Sequence, residues 1–299
     1  MSDVDKPSQY IIYGANGWLG RSAIKSIIKN YSNLDSNKLL LIGSRASVIQ
    51  VEGLNCRILN QSEALRGIKE NACFFNAAFL RKEKLVALGF KDYVNQNNSI
   101  SSYAETVINS KKLSSFINIS SGAAGEFDDG QKSIEVEPYG FLKKDWEERF
   151  ANACQENQTQ SINCRVYSVT GEFINEFKNL ALTNFISQAK DKKKIKVKSP
   201  ATLRTFIDAV DLAQVLYKLI YEKSNFNIDS GGQLVSLSEL AGSVAKALSL
   251  TSDDVEEGSE SSLDYYGNYE KFNGLANHLN IEIKNLDSQI EETLKAYSL

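Results

Sequence analysis

The chain reads as an α/β protein built on a doubly wound parallel sheet, with a smaller α/β lobe toward the C-terminus. Three observations predict this. Short β-rich apolar runs recur between helical stretches, the first run breaks into a glycine-punctuated turn, and the regular alternation loosens after Gly171.

Ile11–Tyr13, Leu39–Ile42, Arg57–Leu59, Cys73–Asn76, Phe116–Ile119 and Cys164–Tyr167 read as strands, each bounded by turn formers or a helical segment. Between them, Arg21–Tyr31 and Ser99–Asn109 carry Ile, Leu, Val and Ala at helical spacing. Phe141–Ala153 is an amphipathic helix with Leu142, Trp146 and Phe150 at i, i+4 and i+8. Residues 1–170 thus form the expected sheet domain. In 171–299, helices are expected around Leu180–Ala189, Leu237–Leu248 and Ile290–Tyr297, with strands at Ile195–Val197 and Phe226–Ile228 and an element near Phe206–Tyr221. This part reads as a substrate lobe from which a strand and a helix return to the sheet domain.

Composition excludes several function classes. With 34 basic against 37 acidic residues and a net charge of −3, the chain lacks the basic footprint of a nucleic-acid binder. No apolar stretch reaches bilayer-spanning length, so no membrane association is expected. Cys56, Cys73, Cys154 and Cys164 show neither CxxC nor ligand spacing, which implies no zinc site and no disulfide framework. A reducing cytoplasm fits best. The Lys-rich run Lys190–Lys198 reads as a solvated loop and edge strand, where lysine blocks edge pairing.

The chemistry begins at Gly14-Ala15-Asn16-Gly17-Trp18-Leu19-Gly20, directly after Tyr10–Tyr13. A strand that breaks into such a turn and then a helix lets backbone amides approach a pyrophosphate, and the positive helix end favours that anion. Gly14, Asn16, Gly17, Trp18, Leu19 and Gly20 are therefore the expected dinucleotide cradle of a Rossmann-type domain. The second strand ends in Ser44-Arg45, where an NAD site usually places an acid for the ribose 2′-hydroxyl. A guanidinium suits a 2′-phosphate instead, so NADP is expected ahead of NAD. Arg21 either adds a second charge or is a solvated first-turn arginine. Ala77 and Ala78 close the fourth strand, and their small size suits either close approach to a dinucleotide or ordinary packing.

Tyr139 precedes Lys143 by four residues, which puts phenol and ammonium on one helix face. A phenol, with an unperturbed pKa of about 10, needs a nearby positive charge to exchange protons near neutrality. Lys143 supplies it. Ser121, at the end of the strand before this helix, can bond and orient a substrate oxygen, completing a Ser121–Tyr139–Lys143 catalytic set.

These features together resemble the extended short-chain dehydrogenase/reductases, the branch of nucleotide-sugar epimerases, dehydratases and ketoreductases. The glycine spacing at 14, 17 and 20 is similar to their nucleotide loop. Asn97 falls where they carry a helix asparagine, and Arg165-Val166-Tyr167 resembles their strand after the triad. Arg204-Thr205-Phe206-Ile207-Asp208-Ala209-Val210-Asp211 resembles their R-x-F-x-x-V-x-D signature, with Ala209 at the valine position, and Phe226–Gly231 resembles the segment that follows. The resemblance implies that Arg204 contacts a nucleotide diphosphate, that Asp211 is structural, and that the chain forms a homodimer through the helices bearing Asn97 and the Tyr-Lys pair. Phe141–Ala153 is expected to hold enough apolar residues to bury more than one face.

Departures from the family narrow the chemistry. Ser121 is followed by Gly122-Ala123-Ala124 rather than the Asp-Glu of 4,6-dehydratases, and Asn60-Gln61 stands where many relatives carry an acid near the adenine. His278, the single histidine, reads as a helix-end or surface residue. What the resemblance then implies is an NADP-dependent ketoreductase acting on a nucleotide-activated sugar. The rivals are a nucleotide-sugar 4-epimerase with retained NAD and a non-catalytic dinucleotide-binding sensor or scaffold.

Overall fold

The computed structural model describes residues 6–30, 36–130, 132–175 and 180–297. Tyr31, expected to close the first helix, and residues 1–5 of the polar start lie outside the described residues. In chain order the elements are β1 (Gln9–Tyr13), α1 (Trp18–Asn30), β2 (Leu39–Ile42), β3 (Ser47–Val51), β4 (Leu54–Leu59), α2 (Gln61–Leu65), β5 (Ala72–Asn76), α3 (Lys84–Leu88), α4 (Phe90–Asn109), β6 (Leu113–Ser121) and α5 (Pro138–Glu156). There follow β7 (Gln160–Val166), β8 (Ser168–Thr170), α6 (Ala181–Lys192), β9 (Ile195–Val197), β10 (Leu203–Asp208), α7 (Ala209–Leu219), β11 (Phe226–Asp229), β12 (Gln233–Ser236), α8 (Leu237–Ala247), β13 (Val255–Glu257), α9 (Tyr269–His278) and α10 (Leu286–Lys295). The chain divides into two compact units, residues 1–165 with 216–228 and residues 166–215 with 229–299.

An eight-stranded sheet in the order β11-β7-β6-β5-β1-β2-β4-β3 organises the first unit. The pairs β1–β2, β1–β5, β2–β4 and β5–β6 are parallel. Every residue of β1 and β5 is buried, as strands covered on both faces must be. On one face Ile11, Tyr13, Phe74 and Phe116 pack against Val107 and Ile108 of α4 and Trp146 and Phe150 of α5. Phe116 stacks on Phe74 at 5.4 Å and meets Phe150 edge-on at 5.1 Å. Truncating one such ring in a packed core typically costs about 3–5 kcal/mol.

Two features depart from the sequence reading. No helix links β2 to β4. The connection is instead the hairpin strand β3, antiparallel to β4 and turning through Glu52 and Gly53, both at positive φ as a two-residue type I′ turn requires. Glu52 is also held by Lys25 of α1 at 2.8 Å. The second departure concerns α5. Leu142, Trp146, Phe150 and Cys154 all lie in this unit's own core, and Phe141 meets Phe127 edge-on at 5.9 Å. Of its apolar residues the helix leaves exposed only the small Ala151, beside the polar Glu148, Asn152 and Gln155. On α4, Lys91, Asp92, Asn95 and Gln96 are exposed, together with Phe90 at the start of the helix. The surplus of apolar residues expected on Phe141–Ala153 is absent.

In the second unit, β12-β10-β8 and β13-β9 form two small sheets. Leu182, Ile186, Ile195, Leu240, Val244 and Ile290 form the centre of its core. The element expected near Phe206–Tyr221 resolves into β10 and α7. The Lys-rich run supplies the end of α6 and β9, and β9 pairs with β13 from the acidic stretch, where Lys196 meets Glu256 at 3.2 Å. Among the described residues, no helix is long and apolar enough to cross a membrane.

Candidate active site

The glycine loop is built by close backbone approach. Gly14 has φ +87, and a Cβ there would lie 2.8 Å from both the Ala77 carbonyl carbon and the Ala78 nitrogen. At Gly20 a Cβ would collide with the Gly14 carbonyl oxygen. The amides of Gly14 and Ala15 both donate to the Ile42 carbonyl, at 2.9 and 3.1 Å, so the turn hangs on β2. Trp18, Leu19 and Gly20 open α1, whose first turn carries no acidic residue to oppose its amides. These features fit a phosphate-bearing dinucleotide. Replacing Gly20 by Ala should push α1 off the Gly14 turn. Dinucleotide affinity should fall at least tenfold by fluorescence titration (about 1.4 kcal/mol), and Tm should drop with it.

The Asn16 side chain spans from this loop to the turn after β2. Its Oδ1 accepts from Ser47 Oγ at 3.3 Å, and a Cβ on Gly43 would lie 2.8 Å from its Nδ2. Ser44 and Arg45 occupy that turn and are exposed, and no carboxylate among the described residues pairs with Arg45. Arg21, half-buried in the first turn of α1, has a buried Nε without a hydrogen-bond partner. Asn60 is absorbed locally. It caps α2 in a capping box with Glu63, while Gln61 donates to the Tyr13 hydroxyl.

Ser121 ends β6, is 5% exposed, and accepts from the Ala123 amide at 3.3 Å as the chain enters the 3-10 helix Gly122–Phe127. Tyr139 sits in the first turn of α5, after Pro138 and the N-cap Glu137, whose side chain accepts from the Gly140 amide. A Cβ on Gly140 would lie 2.6 Å from the Ala123 carbonyl, so this glycine lets the start of α5 pack directly on the turn after Ser121. One helical turn on, Lys143 is 6% exposed and its Nζ donates to the Ile119 carbonyl at 2.7 Å. Burial pushes its ammonium down to about 7, opposed by the nearby Glu147 carboxylate.

Phe79, which the sequence reading passed over, joins the loop to Tyr139 and Lys143. It follows Ala77 and Ala78, the residues that Gly14 touches. Its ring meets Tyr139 edge-on at 5.3 Å, and the Lys143 ammonium lies 4.2 Å from its centroid. Glycine loop, strand end, Tyr139 and Lys143 are thus one contiguous surface of the first unit. Asn97, fully buried on α4, has its side chain committed to the Leu80 amide at 2.9 Å and the Tyr93 carbonyl at 3.1 Å, so it fixes the loop carrying Phe79. Around Ser121, Glu147 accepts from Ser120 Oγ at 2.5 Å and from Arg165, and Arg165 also bonds both oxygens of Asp128 at 2.7 Å. The Arg165 guanidinium beside Asp128 holds that carboxyl down to about 2. Only the i, i+4 spacing from Lys143 to Glu147 could have signalled this network in advance.

Arg204 belongs to the second unit, on β10. Its backbone bridges to Tyr265, whose ring packs against Tyr167 at 4.9 Å. No carboxylate among the described residues pairs with Arg204, its Nε is buried without a partner, and burial lowers the pKa of its guanidinium. Asp211 is structural, accepting from the Lys284 amide at 2.9 Å and its Nζ at 2.5 Å, beside Asp208, which Lys284 reaches at 3.0 Å. Ser230, after β11, accepts from the Tyr167 amide at 3.1 Å. His278 is exposed at the end of α9.

A model of the NAD dependent epimerase/dehydratase family matches residues 10–229. No curated protein matches the chain. Among solved structures it is similar to UDP-N-acetylglucosamine 4-epimerase from Methanobrevibacter ruminantium M1 in complex with UDP-N-acetylmuramic acid, at 18% identity and TM-score 0.71 over 98% of this chain and 99% of that one. UDP-N-acetylglucosamine 4-epimerase from Bacillus cereus gives 16% and 0.72 over 97% of each chain. The dTDP-glucose 4,6-dehydratase from Bacillus anthracis str. Ames in complex with NAD gives 13% and 0.70, over 97% of this chain and 96% of that one. Because the family match begins in β1, ends in β11 and takes in the glycine loop, Ser121, Tyr139, Lys143 and Arg204, the chain belongs to the NAD dependent epimerase/dehydratase family of extended short-chain dehydrogenase/reductases.

Proposed function

We propose that this enzyme is an NADP-dependent reductase of the keto group of a nucleotide-activated sugar. The observation that carries this reading is the placement of Tyr139 and Lys143 on one face of α5, both against Phe79, which follows the Ala77-Ala78 backbone under the glycine loop. When bound, the reduced dinucleotide supplies the hydride. Gly14, Asn16, Gly17, Trp18, Leu19 and Gly20 hold its phosphates, with Ala77 and Ala78 as the floor. The Ser121 hydroxyl donates to the substrate carbonyl oxygen and polarises it, and Tyr139 delivers its phenolic proton to that same oxygen. Lys143, with two N–H groups left beyond its bond to Ile119, holds the nicotinamide ribose and places positive charge beside the phenol. The Gly122-Ala123-Ala124 segment offers no acid or base of its own, which disfavours dehydration and leaves chemistry at one carbon.

A 4-epimerase with retained NAD is the second reading. It uses the same triad, and the names of two of the structural relatives above favour it. Cofactor choice separates the two. Arg45, exposed on the turn that Asn16 joins to the glycine loop, suits a 2′-phosphate and gives NAD no acidic partner. NADPH should bind more tightly than NADH, by at least tenfold if Arg45 makes a charge-assisted bond worth about 1.5–3 kcal/mol. Arg45→Asp should erase or reverse that preference in fluorescence titration. Equal binding of NADH by the unmodified protein at physiological salt would favour the epimerase. A homodimer is part of this proposal on family resemblance, and a monomeric mass by light scattering at micromolar concentration would contradict it.

A further inference from the structure

We propose that Glu147 is a positioning residue of the reaction centre, which fixes both ends of the segment bearing Ser121 and stands as a counter-ion one helical turn from the Lys143 ammonium. This rests on the roles given above to Ser121, Tyr139 and Lys143.

The geometry begins with helical spacing. Lys143 and Glu147 stand at i and i+4 on α5, and they address consecutive residues of β6. Lys143 Nζ donates to the Ile119 carbonyl at 2.7 Å, and Ser120 Oγ donates to Glu147 Oε1 at 2.5 Å. Those two residues directly precede Ser121. Beyond Ser121, the 3-10 helix Gly122–Phe127 ends at Asp128, which is also tied to Glu147. Arg165 of β7 donates from Nε and Nη2 to Glu147, at 3.0 and 2.8 Å, and from Nη1 and Nη2 to Asp128, at 2.7 Å each. Lys144 adds a bond to Asp128 at 2.9 Å. Residues 119–128 are therefore held at the start by α5 directly and at the end by α5 through Arg165. A clamp of this kind fixes the hydroxyl that must meet a substrate oxygen.

The second half of the role is electrostatic. Lys143 faces Tyr139 and Glu147 on its own helix, the Ile119 carbonyl from β6, and the rings of Phe79 at 4.2 Å and Trp146 at 5.8 Å. Of these only Glu147 is a carboxylate. Burial alone disfavours the ammonium, and Glu147 is the group that opposes it. A neutral lysine would neither place charge beside the phenol nor keep all three donors. Glu147 makes its direct ion pair with Arg165, at 2.8 Å, and acts on Lys143 from one helical turn along α5.

The test reads the lysine itself. In protein labelled with 13Cε-lysine and free of cofactor, the Lys143 resonance, assigned through Lys143→Met, should titrate near pH 7. Glu147→Gln should move that midpoint to lower pH by about one unit or more, the usual size of an opposite-charge effect at close range. The alkaline limb of kcat/KM should move with it. Asp128→Asn, which loosens only the far end of the clamp, should leave the midpoint in place and lower kcat several-fold. If Glu147→Gln does not fold, Glu147→Asp takes its place, with a smaller downward shift expected from the withdrawn carboxylate. A folded Glu147 variant with the wild-type midpoint would overturn the counter-ion role, and an unchanged kcat in Asp128→Asn would overturn the clamp. Full turnover in both Tyr139→Phe and Lys143→Met would instead remove the triad reading beneath the proposal, whatever the midpoint.

Discussion

Tyr139→Phe should lower turnover by about two to four orders of magnitude, the range expected when a general acid is lost, while dinucleotide affinity stays within a few-fold. The substitution removes one oxygen and keeps the ring. The edge-on contact with Phe79 survives, Lys143 keeps its bond to Ile119, and the N-cap bond from the Gly140 amide to Glu137 is untouched. Nothing that shapes the glycine loop changes, so binding and chemistry should separate cleanly. Stopped-flow hydride transfer together with fluorescence titration of NADPH reads both. Ser121→Ala should be milder, because it loses a polarising hydrogen bond and not the proton itself. Unaltered turnover in Tyr139→Phe would end the mechanism, whereas loss of cofactor binding would show that the phenol holds the dinucleotide.

What the sequence made legible was local. The β1 strand, the glycine loop and α1 form one continuous segment, and each of its signals sits within about a dozen residues. Leu142, Trp146 and Phe150 announced the buried face of α5 by spacing alone, and Tyr139 with Lys143 shares that helix. The missed parts lie where partners are distant in the chain. The β3–β4 hairpin turns on Glu52-Gly53, a weaker signal than Asn-Gly, and its exposed strand alternates only over Ile49 and Val51. The start of α4 was missed because Lys91, Asp92, Asn95 and Gln96 face solvent and dilute the apolar period, although Tyr93 and Asn97 are buried. Phe79 looked like an ordinary residue after a strand. Its significance comes from a ring contact across 60 positions of sequence, which no periodicity reports. Glu147 was visible as an acid on a helix, but Ser120 and Arg165 reach it from two other segments, and Asp128 joins through Arg165 from a third.

Arg204→Ala should raise KM by about one to two orders of magnitude and leave kcat within a few-fold. A hydrogen bond to a charged group contributes about 1.5–3 kcal/mol, which sets that range. An arginine that holds a diphosphate does so equally in the ground and transition states, so its loss appears in KM and not in kcat. The environment of Arg204 in the second unit suits this use. Its guanidinium is half-buried, no carboxylate among the described residues neutralises it, and its Nε lacks a partner, so part of its hydrogen-bonding capacity is unused within the unit. An anion would supply both the charge and the acceptors. Free UDP, GDP, CDP or dTDP should then compete with substrate, and the competition should weaken in Arg204→Ala by the same factor as KM rises. Lys cannot restore it fully, since an ammonium lacks the planar fork that meets two phosphate oxygens at once. If all four nucleotides fail to bind or inhibit at millimolar concentration, the nucleotide-sugar assignment falls and a small carbonyl substrate takes its place. The dinucleotide loop and the Ser121–Tyr139–Lys143 set would stand unchanged, because their residues lie in the first unit and Arg204 in the second.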